Sequence, residues 1–258
     1  QGTFVDDMLV HRMAEEEFLL VVNAANRVKD VAYLQGLAAE FEDVTVEDRS
    51  DEWAQMAIQG PAALGILQPL TETDLEAIRY YRFTWGEVAG KRALIARTGY
   101  TGEDGFEVYT ANDDAAPVWR ALLAEGTPKG LVPAGLGCRD TLRFEAGMCL
   151  YGNDIDDKTT VLEAGLDFIV DWEKESFIGK QALEAQRDAG TARRRVGLEI
   201  EGRGIARQDH TVHDGEAEIG IVTSGTWSPS LEKAIAMAYL PPEYAEPGRE
   251  IQVGVRAR

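Results

Sequence analysis

The run Arg97-Thr98-Gly99-Tyr100-Thr101-Gly102-Glu103-Asp104-Gly105-Phe106-Glu107 constrains this chain more than any other segment. Glycines alternate with Tyr100, two threonines and three carboxylates. Glycine permits the left-handed turns that bring bare backbone close to a flat ligand. Tyrosine offers a π face and a phenolic hydrogen bond together. Glu107 stands where the loop gives way to Val108-Tyr109, which reads as a strand, so its carboxylate is expected on a rigid edge. The run reads either as a ligand loop or as a glycine-rich hairpin link.

A second segment, Pro133 to Gly147, opens with glycines and continues as a short amphipathic helix. Arg139 and Arg143 lie four residues apart and share a helical face. Guanidinium groups near a helix N-terminus can grip a carboxylate bidentately. The same pair also reads as two solvated surface residues. Gly147 fits the helix C-terminus.

With 258 residues, 45% hydrophobic and 28% charged, the chain can bury a real core and holds more than one domain. Its net charge of −19 argues against nucleic acid, whose phosphates need Lys and Arg. No apolar run is long enough for a membrane span. Cys138 and Cys149 lack metal-ligand spacing and read as two buried thiols of a reducing, cytoplasmic compartment. Gln1-Gly2 leads straight into an apolar strand, and the last eight residues stop inside another, so the chain reads as a fragment cut at both ends.

Phe4 to Met13 and Phe18 to Val22 read as a hairpin, with Asn23 as cap of the helix that follows. In that helix Val28, Val31, Leu34, Leu37, Ala38 and Phe41 recur at helical spacing. Val44 and Val46 alternate as a strand, and Trp53 to Ile58 form another. Gly60-Pro61 opens a helix, Thr73 to Arg79 reads as a short one, and Tyr80 to Thr98 as a hairpin turning near Gly90. Helices are expected over Pro117 to Ala124 and Phe177 to Ala189. Leu150 to Asp157 reads as a surface loop. From Val196 onward short strands, including one at Ile251–Val255, alternate with turns as in a barrel. Without regular βαβ alternation, the fold class is α+β.

Asp6-Asp7 is embedded in the first expected strand, where carboxylates are poor formers. Neighbours on a strand point to opposite faces, and both faces here are largely apolar. At least one carboxylate is therefore expected to be shielded from solvent, and the pattern does not say which.

The residues now match a known family. The chain resembles the T protein of the glycine cleavage system, a tetrahydrofolate-dependent aminomethyltransferase. The resemblance rests on Gly2 to Val10, Val21 to Asn26 with Lys29-Asp30, Arg97 to Glu107, Gly135 to Gly147, Leu150-Tyr151-Gly152, Phe177 to Lys180 and Thr223 to Leu231, in the family's order. It implies a multi-domain, cloverleaf-like folate-binding fold with a C-terminal β-barrel, truncated at the N-terminus. The expected division is 1–50 for a small α+β remnant with the Asp-Asp segment and 51–175 for a central folate-binding part. Residues 176–190 would be a linker helix and 191–258 the incomplete barrel. By resemblance Asp7 is the catalytic carboxylate, and Val21, Asn23, Tyr81, Tyr100, Glu107 and Arg139 are folate-contacting positions. Glu107 would pair with donor atoms of the pterin ring.

The reaction implied moves an aminomethyl group from the lipoyl arm of H protein to tetrahydrofolate, releasing ammonia and forming methylenetetrahydrofolate. No metal is implied, H protein docks transiently, and the protein is expected to be a cytoplasmic monomer. Two alternatives share the fold. One is the folate-binding half of a dimethylglycine or sarcosine dehydrogenase or of a folate-dependent demethylase. The other is a non-catalytic folate-binding protein of iron–sulfur maintenance, whose Lys-Gly-Cys-Tyr type motif is absent here. Arg193-Arg194-Arg195 reads as a solvated basic link or part of a docking face.

Overall fold

A computed structural model describes residues 2–202 and 204–254. Strands β1 (Leu9–Arg12) and β2 (Phe18–Val21) precede helix α1 (Arg27–Ala38) and strand β3 (Trp53–Gln59). Helix α2 (Ala63–Leu67) leads to β4 (Phe83–Val88), β5 (Lys91–Ala96) and β6 (Gly105–Ala111). Helices α3 (Asn112–Gly126), α4 (Leu136–Glu145) and α5 (Lys180–Ala189) follow. The chain then runs through β7 (Arg194–Ile200), β8 (Thr211–Asp214), β9 (Ala217–Ser228), β10 (Lys233–Leu240) and β11 (Gln252–Gly254). Val255 of the expected last strand, like Gln1 and the remainder of the expected barrel to residue 258, lies outside the described residues. Contacts divide the chain into two compact units, residues 1–9, 20–26 and 149–258 in one and residues 10–19 and 27–148 in the other.

The second of these units is built on an antiparallel sheet of order β3-β6-β5-β4. One face carries Met56, Ile58, Phe106, Val108, Ala93, Ile95 and Val88, which pack with Ile66, Leu67, Val118 and Leu122 of α2 and α3 into a continuous core. Each of these side chains other than Ala93 contributes about 1.5–3 kcal/mol on withdrawal from water. The strand period of two sends the intervening residues to the opposite face. There the register aligns Ala57, Glu107, Ala96 and Phe83 in one row and Gln55, Tyr109, Leu94 and Trp85 in the next. The β4–β5 hairpin turns at Ala89 and Gly90, both with positive φ (53° and 72°), as a tight hairpin turn with the strands' own twist requires.

The other unit contains the antiparallel sheet β11-β8-β9-β10-β7. Its core is Ala206, Val212, Val222, Ala236, Ala238 and Leu240. Phe4, Cys149, Ile155 and Ala164 form a smaller apolar cluster in the same unit. Buried Asp154 ties its loop to this sheet. Its carboxylate accepts from the Thr223 hydroxyl and from Leu150 N at 2.9 Å, and its carbonyl accepts from the Tyr239 hydroxyl at 2.7 Å. Leu150 to Asp157 is thus not simply a surface loop.

Several local expectations fail for identifiable reasons. Asp6 and Asp7 precede β1 rather than lying inside it, because side-chain amides take the place of a strand partner. The Asn23 side chain is turned to those carboxylates, to which its Nδ2 donates, rather than to the amides that open the helix. Val44 and Val46 form no strand, and Val46 O accepts from Gln35 Nε2 instead. Thr73 to Arg79 forms turns. Gln68 Oε1 takes Leu75 N, and Asp74 Oδ1 takes the Glu76 and Ala77 amides, so an i→i−4 ladder does not form. Helix α3 begins five residues before the expected Pro117, with Asn112 Nδ2 donating to Asp51 O.

Thr110 is fully buried and its hydroxyl has no hydrogen-bond partner among the described residues. Thr110→Val, which keeps the shape and removes the unpaired hydroxyl, should stabilise the protein by about 1 kcal/mol, read as a raised urea midpoint. Gln59 Nε2 donates to Thr98 O at 3.0 Å and to Phe106 O at 3.2 Å. Gln59→Leu should destabilise by about 1–3 kcal/mol in the same titration.

Candidate functional site

The glycine-rich loop between β5 and β6 is closed at its base by Arg97, which grips Asp104 through Nε (2.9 Å) and Nη2 (2.7 Å). That pairing pulls the Asp104 carboxyl below its ordinary range. Only Gly102 needs the backbone freedom expected of this loop, at φ 77°. Gly99 and Gly105 are glycine for a different reason. A Cβ at either would fall within 3 Å of the Gln59 amide, so the bare backbone makes room for a side chain of the protein itself.

Glu107 projects from β6 onto the sheet face away from the helices. Its Oε2 accepts from the Thr98 hydroxyl at 2.5 Å and from the Tyr109 hydroxyl at 3.0 Å. Its Oε1 accepts from Gln55 Nε2 at 2.8 Å. A carboxylate has about four acceptor positions, so among the described residues Oε1 retains room for one further donor. Burial, reinforced by the adjacent Glu107, pushes the Tyr109 phenol up, which keeps it protonated and donating.

Tyr100 and Arg139 meet directly. The Arg139 guanidinium lies 4.5 Å from the centre of the Tyr100 ring, a cation–π contact that joins the loop to α4. Arg139 is exposed. Arg143, expected on the same face, is only 1% exposed. It bonds Asp140 through Nε at 2.8 Å and Met148 O through Nη1 at 3.0 Å. The two arginines therefore do not form one anion grip: Arg143 anchors the end of its helix, and Arg139 alone faces solvent. Cys138 is exposed, contrary to the expectation of two buried thiols, while Cys149 is buried.

Tyr81 adopts a left-handed conformation, φ 57°, unfavourable for a residue with a Cβ by about 1–2 kcal/mol. Its amide donates to Arg97 O at 3.0 Å, and its exposed ring stands edge-on to Tyr80 with centroids 4.5 Å apart. Backbone strain of this kind collects at functional positions.

Asp7, Val21 and Asn23 belong to the other unit. Asn23 organises both aspartates. Its Nδ2 donates to Asp7 Oδ1 at 2.6 Å and to Asp6 Oδ1 at 2.9 Å, and its backbone N–H donates to Asp6 Oδ2 at 3.2 Å. Asn26 Nδ2 adds a bond to Asp6 Oδ1 at 2.7 Å. The shielded carboxylate is Asp6, whereas Asp7 is exposed. Val21 ends β2 and is half-buried. The basic run is no solvated link throughout. Arg193 Nε bonds Glu163 at 2.9 Å and Arg195 Nε bonds Ala164 O at 2.9 Å, leaving Arg194 exposed.

Sequence reasoning missed Gln55, Thr98 and Tyr109 around Glu107, and Asn26 beside Asp6. Strand alternation carried a signal for one of them, since Tyr109 follows Glu107 by two. Gln55 reaches Glu107 through a strand pairing between distant segments, which local pattern does not specify.

Residues 1–174 match the family described as the GCVT N-terminal domain, and residues 193–258 the glycine cleavage T-protein C-terminal barrel domain. The aminomethyltransferase of Desulfitobacterium hafniense is 52% identical over 257 residues, covering 100% of this chain and 70% of that protein. That of Rubrobacter xylanophilus is 50% identical, covering 99% and 67%. The glycine cleavage system aminomethyltransferase T from Bartonella henselae, a crystal structure, superposes with a TM-score of 0.89 at 33% identity, covering 100% of this chain and 70% of that one. Matched over nearly all its length by these domains and relatives, the chain belongs to the glycine cleavage T-protein family of aminomethyltransferases.

Proposed function

We propose that this aminomethyltransferase uses tetrahydrofolate as acceptor and lipoylated H protein as donor. The observation that carries the folate reading is the Glu107 carboxylate, held by Gln55, Thr98 and Tyr109 with an acceptor position left on Oε1. A pterin ring presents the amino and ring N–H donors that such a fixed acceptor recognises, and a charge-assisted bond of this kind contributes about 1.5–3 kcal/mol. Tyr100, stacked against Arg139, offers an aromatic surface beside a cation suited to a ligand that joins a flat ring to carboxylates. Tyr81, Val21 and Asn23 complete the proposed contact set.

The reaction moves one carbon. The aminomethyl carbon exchanges its bonds to the amine and to the lipoyl sulfur for bonds to two neighbouring nitrogens of tetrahydrofolate, the first of them a ring nitrogen, and the two N–H protons displaced leave on ammonia and on the freed thiol. Positive charge develops at the transferred carbon, and a fixed carboxylate there lowers the barrier. Asp7 takes this role in our reading. Its neighbour Asp6 is half-buried and accepts from Asn23 and Asn26, whereas Asp7 is exposed and oriented by Asn23. The chain acts in this proposal as a cytoplasmic monomer that meets H protein transiently. The proposed functional division keeps 1–50, 51–175, 176–190 and 191–258 as Asp-Asp part, folate part, linker and barrel part.

Asp7→Asn should lower turnover with loaded H protein by about 10²–10³-fold while tetrahydrofolate affinity stays within roughly twofold. Unchanged ammonia release would remove Asp7 from the chemistry. Glu107→Gln should do the reverse at the binding step, weakening tetrahydrofolate by roughly 10–100-fold in calorimetric titration. Wild-type affinity in that variant would contradict the pterin contact.

A further inference from the structure

His11 lies on β1 and belongs to none of the proposed contacts. It is 5% exposed, and among the described residues its Nε2 has no hydrogen-bond partner. A buried histidine nitrogen is ordinarily satisfied, so an orphaned one calls for an explanation. The ring stands edge-on to Phe83 of β4, 4.8 Å between centroids at 87°, and to Tyr109 of β6, 5.7 Å at 75°. Tyr109 is the residue whose hydroxyl donates to Glu107.

Among the described residues, Glu107 on β6 is the charged group that acts on this ring, favouring its protonated form, while burial disfavours that form more strongly. Tyr109 is a neutral phenol. Gln55, which β3 brings to the same carboxylate, carries no charge. Arg12, next to His11 on its own strand, turns to the carbonyls of Ala14 and Glu15.

We propose that His11 is a positioning residue for the Glu107 carboxylate: the neutral ring packs Tyr109 in the orientation from which it donates to Glu107, and a protonated ring competes with the ligand for that carboxylate. The proposal rests on the pterin reading of Glu107. In its neutral form the ring meets Phe83 and Tyr109 edge-on and leaves the carboxylate to its three donors and the ligand. On gaining a proton it becomes a desolvated cation, and attraction to Glu107 offsets only part of that desolvation. Because burial depresses proton affinity, the change falls below the ordinary histidine range, and ligand binding weakens as pH falls through it.

The test has two arms. Ring NMR of the histidines is followed against pH in the wild type and in Glu107→Gln, with His11→Phe supplying the assignment. His11 is expected to titrate below the ordinary histidine range, and to move lower still in Glu107→Gln, where the favourable charge is gone. A His11 ring that titrates normally, or that ignores the Glu107 substitution, overturns the coupling. In the second arm, tetrahydrofolate affinity is measured by calorimetry between about pH 7.5 and about pH 5.5. The wild type should lose roughly fivefold more affinity on acidification than His11→Phe. Equal pH dependence in the two proteins overturns the positioning role. Absence of binding by both proteins at about pH 7.5 would instead overturn the pterin reading, and the NMR arm would still decide whether His11 and Glu107 are coupled.

Discussion

A carboxylate in the middle of a strand needs a reason to be there. Glu107 has one: the strand period turns it away from the helix-covered core, and Thr98, Tyr109 and Gln55 converge on it from the loop entrance, its own strand and the neighbouring strand. The rest of this unit serves that arrangement. The Arg97–Asp104 fork sets where the loop leaves and rejoins the sheet. Gln59 fills the space that Gly99 and Gly105 leave open, so the loop is packed rather than slack. Rigid elements hold a recognition group more accurately than loops do, and here the loop borrows rigidity from the sheet.

The aspartate segment solves a related problem differently. Two adjacent acids repel each other. Amide donors from Asn23 and Asn26 supply compensation, three of these bonds going to Asp6 and one to the Asp7 carboxylate. The division of labour between neighbours follows: one carboxylate is consumed in fixing the backbone, and the other is presented to solvent in a defined orientation. Their separate environments, rather than their identical chemistry, distinguish structural from proposed catalytic acid.

Much of the architecture was legible because it depends on local pattern. Trp53 to Ile58, the hairpin turning at Gly90, and the strands after Val196 followed alternation and turn chemistry, and the structure places β3, β4–β5 and β7 to β11 there. The α+β class followed from their order. What escaped was set by side chains that replace backbone partners. Gln68 and Asp74 dissolve the expected helix at Thr73 to Arg79. Asn23 reads as a cap and acts as a bridge between two acids. Arg139 and Arg143 share a spacing but not a role, because Asp140 and the Met148 carbonyl capture only Arg143. At the site, the motif residues were visible, whereas Gln55, one of the donors that fix Glu107, arrives through the pairing of β3 with β6, two strands distant in sequence.

In our proposal the Glu107 carboxylate, oriented by its three donors, is the acceptor that recognises a pteridine. A crystal structure of the protein bound to tetrahydrofolate tests it most directly. Ring N–H groups are expected within hydrogen-bond distance, about 3 Å, of Glu107, with Thr98, Tyr109 and Gln55 still in place. A pteridine bound elsewhere, with no contact to Glu107, would contradict it.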